Sequence, residues 1–487
     1  MSRKRPADEA RWARSALIAM AAILAFRVAA LALNRTDLMF DEAQYWTWSR
    51  DLDFGYFSKP PLIAWLIAGV SKLCGNGESC VRAPSPFLYA GASWFIFLSA
   101  RRLYDARTGF WASLVFATLP GVSFSSGIIS TDVPLLFFWS VALWGFIGLM
   151  QAPQWYWAAI LGAAIGLGLN AKYSMAYFVG CALLCIVREP ALRRLTRDPR
   201  SYAALLLALA LLLPNLIWNA RNGLATISHT ADNANWGGAL LHPLKMLEFA
   251  GAQFGVFGPV MFALLLWISW RAMRTAPSNE DRLLLWFSLP VLAVITLQAL
   301  LSRAHANWAA TAYPAASIVV TAWLLREKSW ALLRGSLSLH ACVMVVLAAG
   351  AAMAPQLSFP GGRNPYDRVL GWKALAASVR DEMVGRRYQA ILTEDRWLTA
   401  ELLYYLRKNR FTIRSWRPGP APRDHFEMTR PYKGSEETLL LVSLRPTASH
   451  ITARFEDAQS LGERRASGGG PAARPIWMWA LSGYRGR

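Results

Sequence analysis

Charge is scarce in this 487-residue chain: Asp, Glu, Lys and Arg make up 17% of it, against 55% hydrophobic residues. Soluble domains carry about a quarter charged residues, so the composition excludes an ordinary soluble protein and points to the bilayer. Acids are scarcer than bases, 30 against 51, giving a formal net charge of +21. That excess does not indicate nucleic acid, because the bases fall in short loops between apolar runs, the pattern that orients multi-pass proteins. Cysteine and histidine are few, five and six, and no Cys/His grouping has zinc-ligand spacing. Cys181, Cys185 and Cys342 lie in apolar runs and read as inert small hydrophobes. Cys74 and Cys80 flank the polar stretch GNGES. A small disulfide loop in an oxidising compartment and two free thiols both fit that spacing. No internal repeat is visible, which weighs against an inverted-repeat transporter.

Long apolar runs are what the chain has in quantity. A spanning helix needs about 20 apolar residues. The candidates are 15–33, 86–103, 109–127, 133–150, 154–169, 173–187, 201–218, 251–270, 283–301, 308–325 and 335–353, eleven in all. The first reads as a retained helix, with no small-residue cleavage site after it. Placing the N-terminus inside puts most basic loops in the cytoplasm, including Arg3, Lys4, Arg5, Arg101, Arg102, Arg107, Arg193, Arg194 and Arg197. The expected architecture is an all-α polytopic membrane protein: a cytoplasmic N-terminus at 1–14, a membrane body at 15–353 with a first outer loop at 34–85, and an outer tail at 354–487. The tail has strand-like runs (QAILT, TLLLVSL) and a helix-like DRWLTAELLYYLRKNR. It is expected to form a small α/β domain ending in a flexible RRASGGGPAARP. Its bases, among them Arg386, Arg387, Arg407, Lys408 and Arg410, suit either an anionic lipid surface or a solvated face.

Under this topology the unusual polar residues collect on the outer side. The first outer loop holds Asp41, Glu42, Tyr45, Asp51, Asp53, Tyr56 and Lys59. The second holds Asp132, and the third Lys172 and Tyr173. The fourth holds Asn219, Arg221, Asn222 and His229; the fifth holds Arg303, His305 and Asn307. Each has a structural reading. Asp132 suits a helix N-terminus, Lys172 suits snorkelling to the interface, and His305 suits a satisfied polar position. The Trp and Tyr clusters suit an interfacial belt. Arg27, inside the first helix, suits snorkelling or a functional role. Jointly, cations and carboxylates beside a lipid-embedded body suit a reaction with one lipid-borne reactant. Cations can hold a phosphate headgroup, and a carboxylate can orient or deprotonate a nucleophile. A polyprenyl phosphate leaves as an anion and needs charge stabilisation more than a strong acid. The competing readings are a lipid or solute transporter, whose polar groups belong near the midplane, and a non-catalytic envelope assembly protein that docks partners through its tail.

Several motifs carry a family resemblance: DEAQYW, GYFSKPPLIAWL, STDVPLLFFW, NAKYS, PNLIWNARNG and HANW, in that order, with TEDRWLTAELLYYL in the tail. Over residues 15–325 the chain resembles the bacterial GT-C glycosyltransferases, which are related to protein O-mannosyltransferases and to the aminoarabinose and galacturonic acid transferases of lipid A and lipopolysaccharide. The resemblance implies a GT-C fold, a polyprenyl-phosphate sugar donor and inverting transfer at the periplasmic face of the inner membrane. The acceptor would be lipid A or lipopolysaccharide, a glycan or a protein hydroxyl. Asp41 matches the family's essential acid, with Glu42 and Asp132 as further catalytic candidates. Lys59, Tyr45 and Tyr56 match positions that lie against the lipid phosphate in the aminoarabinose transferase. Lys172, Arg221, Arg303 and His305 are the other candidates for the donor phosphate. One departure bears on cofactors. That relative has a metal-ligating Glu directly before the matching Lys, whereas Ser58 stands here. The need for a divalent metal is therefore open, and Lys59 is the alternative source of positive charge.

Overall fold

A computed structural model describes residues 6–233, 241–360, 364–386, 388–465 and 474–486. Arg3, Lys4, Arg5 and Arg387, the end of the fourth outer loop at Asn235 and Trp236, and residues 466–473 of the glycine-rich stretch lie outside these. The chain divides into two compact units. One comprises Met1–Ala32, Lys59–Ile63 and Arg82–Ala348; the other comprises Leu33–Ser58, Ala64–Val81 and Ala349–Arg487. The first outer loop thus folds largely with the tail rather than with the membrane body, so a cut at residue 354 would divide one compact unit.

The first unit is helical and makes the chain a multi-pass membrane protein. Among the described residues, six helices are long and apolar enough to span a membrane: Ala7–Leu33, Asp132–Gln151, Pro199–Arg221, Asn279–Leu301, Ala306–Arg326 and Trp330–Ala352. Counting each of two sharply bent pairs as a span gives eight. The eleven expected runs are all helical in the main, and among the described residues six to eight have the length and apolarity of a span. The run at 109–127 breaks where Leu119 turns extended ahead of Pro120. Proline disfavours the helical conformation at the residue before it and offers no N–H. The helix Trp155–Ala171 has only 17 residues.

Small residues let the helices Trp155–Ala171 and Pro199–Arg221 approach closely. A Cβ at Gly162 would sit 2.5 Å from the Ala204 carbonyl oxygen, and one at Gly166 would sit 3.0 Å from that of Ala208. Small residues four apart let helix backbones approach, and interhelical hydrogen bonds then hold them. Here Asn170 Nδ2 donates to the Leu211 carbonyl at 2.9 Å, and the Tyr173 hydroxyl donates to Asn215 Oδ1 at 2.6 Å. Arg27 does not snorkel. It is 3% exposed, and Nη2 donates to the Ala117 carbonyl, one of the last carbonyls before the Leu119 break, where no intrahelical N–H is at hand.

The second unit is built on a five-stranded mixed sheet, as the tail's strand-like runs suggest. Its strands are β1 (Ala390–Thr393), β2 (Thr412–Ser415), β3 (Thr438–Ser443), β4 (Phe455–Arg465) and β5 (Pro475–Tyr484), in the order β2-β1-β3-β5-β4. β1 is parallel to both neighbours, and β5 is antiparallel to β3 and β4. The two faces of β3 are both buried: Leu440 and Val442 pack with the helix Trp372–Gly385, while Leu439 and Leu441 pack with Ile451. This explains its unbroken apolar sequence. The edge strand β4 is mostly exposed and carries charges, which discourages pairing with another chain.

The loop is fastened to this domain by backbone and aromatic contacts. Asp37 Oδ2 accepts from the N–H groups of Trp372 and Lys373 at 2.8 and 3.3 Å, capping that helix. Leu38 N–H donates to the Tyr405 hydroxyl at 2.9 Å. Cys74 and Cys80 are joined in a disulfide. Inside that small ring Asn76 accepts two bonds, from the Trp46 indole and from the Tyr404 hydroxyl, both at 2.8 Å. Replacing Cys80 with Ser is expected to destabilise this unit by about 2 kcal/mol, the chain-entropy value for so short a ring. Differential thiol alkylation read by mass spectrometry, with and without reductant, checks the bond.

Candidate active site

Within the second unit the acids of the loop stand in the first turn of the helix Phe40–Trp48. Their fates differ. Glu42 is 1% exposed, and its Oε2 accepts from the Met39 N–H at 2.8 Å. It holds the start of its own helix in the capping-box manner, a structural task for a residue expected to share the chemistry. Asp41 is more open, with 39% of its side chain exposed. Its Oδ1 accepts from Arg396 Nη1 at 3.1 Å, and the same nitrogen donates to Gln44 Oε1 at 2.9 Å. Asp41 Oδ2 has no hydrogen-bond partner among the described residues.

Arg396 is held from several directions. It opens the helix Arg396–Tyr405, whose N-cap Asp395 accepts from the N–H groups of Trp397 and Leu398. Its guanidinium lies 5.4 Å from the Phe40 ring centre, and Trp397 stacks on the same ring at 4.5 Å. None of the outer-loop motifs points to Arg396. Its one sequence signal was its place in TEDRWLTAELLYYL.

Tyr45 and Tyr56 are 4% and 2% exposed. Tyr56 stacks on Trp48 at 4.6 Å. Its hydroxyl lies 3.0 and 3.1 Å from the carbonyl oxygens of Trp48 and Asp51 and accepts from the Asp53 N–H at 3.1 Å. That hydroxyl braces the loop's own backbone. His425 stands edge-on to Trp48 and Tyr56, at 5.4 and 5.6 Å. Its Nδ1 has no hydrogen-bond partner among the described residues. Burial, with Arg430 nearby, lowers its pKa to about 3.

The first unit brings together residues from three separate loops. Asp132 begins the helix Asp132–Gln151. Its Oδ1 accepts from Lys172 Nζ and its Oδ2 from Asn307 Nδ2, both at 2.6 Å. Asp132 is therefore more than a cap, and Lys172 does not snorkel. The extended residue Lys172 directly follows Trp155–Ala171, the helix that the small residues seat. Beside this triad His305 lies against Trp308 at 5.3 Å. Partial burial, then Arg303 and Lys172, lower its pKa and favour the neutral ring. Arg303 and Arg221 are exposed, Arg221 ending the helix Pro199–Arg221. Lys59 is half-buried in this unit. Asp41, Tyr45 and Tyr56 belong to the second unit, and Lys59, Asp132, Lys172, Arg221, Arg303 and His305 to the first.

The residues at hand do not fit a carboxylate-bound divalent metal next to Lys59. Position 58 is a buried serine, and among the described residues no three His, Cys, Asp or Glu side chains are grouped to hold an ion. The cations among the candidate residues are lysine and arginine, side chains able to hold a phosphate through charge-assisted hydrogen bonds.

Comparison with known proteins finds relatives in both sequence and fold. The dolichyl-phosphate-mannose-protein mannosyltransferase family matches residues 58–218. The lipid A galacturonosyltransferase RgtD of Rhizobium johnstonii is 36% identical over 419 residues, 85% of this chain and 87% of that protein. The lipopolysaccharide core galacturonosyltransferase RgtA of the same organism is 32% identical over 183 residues, 37% of each. The crystal structure of ArnT from Cupriavidus metallidurans, bound to undecaprenyl phosphate, matches with a TM-score of 0.68 at 15% identity, covering 95% of this chain and 97% of ArnT. At that identity the match speaks for the fold alone.

His425 makes the second unit sensitive to acid. Its folded pKa of about 3 lies below the ordinary value of 6.5. Its contribution is therefore present above about 6.5 and is lost as pH falls towards 3. The slope approaches about 1.4 kcal/mol per pH unit while only the unfolded chain takes the proton. Thermal unfolding across that window is expected to show a shallower acid loss in His425→Gln than in the wild type.

Proposed function

The chain belongs to the GT-C membrane glycosyltransferases and is itself a glycosyltransferase; from that premise we propose that it moves galacturonic acid from a polyprenyl-phosphate donor to lipid A or the lipopolysaccharide core. The observation that carries this reading is the near full-length similarity to a lipid A galacturonosyltransferase. The outer face of the bacterial inner membrane is the proposed setting. Two features support it: the basic loops favour the opposite side, and the Cys74–Cys80 bond suits an oxidising compartment.

In the proposed reaction the bond between the sugar's anomeric carbon and the donor phosphate oxygen breaks as a bond to the acceptor oxygen forms on the opposite face. Polyprenyl phosphate departs as an anion. Lys59 and Lys172 hold its phosphate, with Arg221, Arg303 and neutral His305 as further donors at the rim, so the developing charge meets prearranged positive groups. Asp132 and Asn307 fix Lys172 in place. Where the acceptor is a hydroxyl, Asp41 Oδ2 takes its proton; where it is a phosphate, already anionic, Asp41 orients it. Arg396 is a positioning residue that holds Asp41 Oδ1. Glu42 and Tyr56 act through the loop they brace, and buried Tyr45 packs on Trp48 within it. No step calls on a metal.

Asp41→Asn is expected to cut turnover by about 10²–10⁴-fold with expression and donor binding largely intact. Sugar transfer to lipid A in nanodiscs, followed by mass spectrometry, is the assay, and near-normal turnover would remove Asp41 from the chemistry. Lys59→Ala is expected to weaken donor binding by about 1.5–3 kcal/mol, the worth of a hydrogen bond to a charged group. An unchanged donor affinity would count against its phosphate role.

A further inference from the structure

We propose that the protein binds an anionic glycerophospholipid at a second site, a cleft of about 680 Å³ where three helices of the membrane body begin. The helices are Pro6–Leu33, Ala106–Thr118 and Trp330–Ala352, and the cleft walls include Asp8, Arg11, Trp12, Arg107, Trp330 and Arg334. This inference is independent of the sugar-transfer reading. The cleft shares no residue with the Asp132 triad and lies at the other end of the body. The helix Pro84–Leu103 runs between them: Ser85 donates to the Ile128 carbonyl near Asp132, while Arg101 bonds Glu9 at the cleft. Sixteen residues of helical rise separate those two contacts by about 24 Å.

The charges in the cleft are unevenly committed. Glu9 is held by Arg101 at 3.1 Å and by the Ala106 N–H at 3.4 Å. Asp105 caps its helix, accepting from the Thr108 N–H at 2.7 Å. Arg11, Arg107 and Arg334 form no ion pair with a described residue; Asp8 and the capping Asp105, which keeps its charge, stand opposite them, while Arg101 offsets Glu9. Indole rings hold these guanidiniums: Arg107 and Arg334 lie 4.9 and 6.0 Å from the Trp330 ring centre, and Arg11 lies 5.4 Å from that of Trp12. A guanidinium resting on an aromatic face keeps its N–H edge free for a phosphate. Tryptophan at the start of a span is an interfacial residue, which sets the cleft at headgroup depth. The spans rising from it are the least covered of the body, 22% and 11% buried in their apolar windows. Leu17, Ile18 and Leu332 are exposed just beyond the arginines, a wall for acyl chains. Three guanidiniums outside any ion pair, with a net surplus of one positive charge once Arg101 is counted, lie beneath an apolar wall and fit an anionic diacyl lipid better than free phosphate or a zwitterionic one.

The test is native mass spectrometry of the full-length protein, purified from detergent supplemented in turn with phosphatidylglycerol, phosphatidylethanolamine, phosphatidylcholine or inorganic phosphate. The wild type is expected to retain phosphatidylglycerol selectively. The double variant Arg107→Gln/Arg334→Gln is expected to retain about tenfold less or lower still, as the loss of charge-assisted hydrogen bonds requires. Arg193→Gln/Arg197→Gln, in another basic loop, is expected to retain it like the wild type. Equal retention of the zwitterionic lipids or of phosphate, or undiminished retention by the first double variant, would overturn the proposal. If the double variant is not monodisperse, the two single variants carry the same comparison, and the lipid selectivity of the wild type decides by itself.

Discussion

A carboxylate beside an apolar body is costly unless a donor meets it, and this constraint organises both halves of the molecule. In the membrane unit Asp132 is met on both oxygens, by Lys172 and Asn307. In the other unit Asp41 is met on one oxygen by Arg396. The difference bears on the proposed roles. A carboxylate with both oxygens engaged is suited to fixing a cation, and one with an oxygen to spare can still receive a substrate proton.

Each pair depends on packing far from it in sequence. Lys172 reaches Asp132 because the helix before it is seated by Gly162 and Gly166 against Ala204 and Ala208. The polar ladder of Asn170, Tyr173, Asn215 and Asn219 then fixes the ends of the two helices. Arg396 reaches Asp41 because the loop helix lies on the helix Arg396–Tyr405, with Phe40 on Trp397 and Trp46 edge-on to Tyr404 at 5.0 Å. Aromatic pairs of this kind contribute about 0.5–1.5 kcal/mol each beyond their burial. The loop's Trp and Tyr residues, which suit an interfacial belt by composition, thus serve in good part as the joint between loop and tail.

Much of this was legible in the residues. Low charge and long apolar runs mark a membrane protein, the short apolar runs QAILT and TLLLVSL mark strands, and the ordered motifs carry the family. Other features were not. Glu42 and Asp41 are neighbours of the same chemical kind, and only the helix start separates a capping acid from an open one. Tyr56 reads as a phosphate contact by its position in the motif, yet its hydroxyl faces the backbone of its own loop. Arg396 sits roughly 350 residues from its partner in sequence, and no local pattern announces such a contact. The helix breaks were not legible either, because apolar content does not reveal where a proline interrupts a run, as Pro120 does in 109–127.

By itself, then, the sequence determined the class of molecule, the placement of its apolar and basic segments, and the family to which its motifs belong. These follow from transfer free energy and local pattern, which act residue by residue. The tertiary structure decided which of several similar acids keeps an oxygen open, which cation each acid meets, and that the first loop folds with the tail. These depend on distances between residues remote in sequence, which packing alone sets.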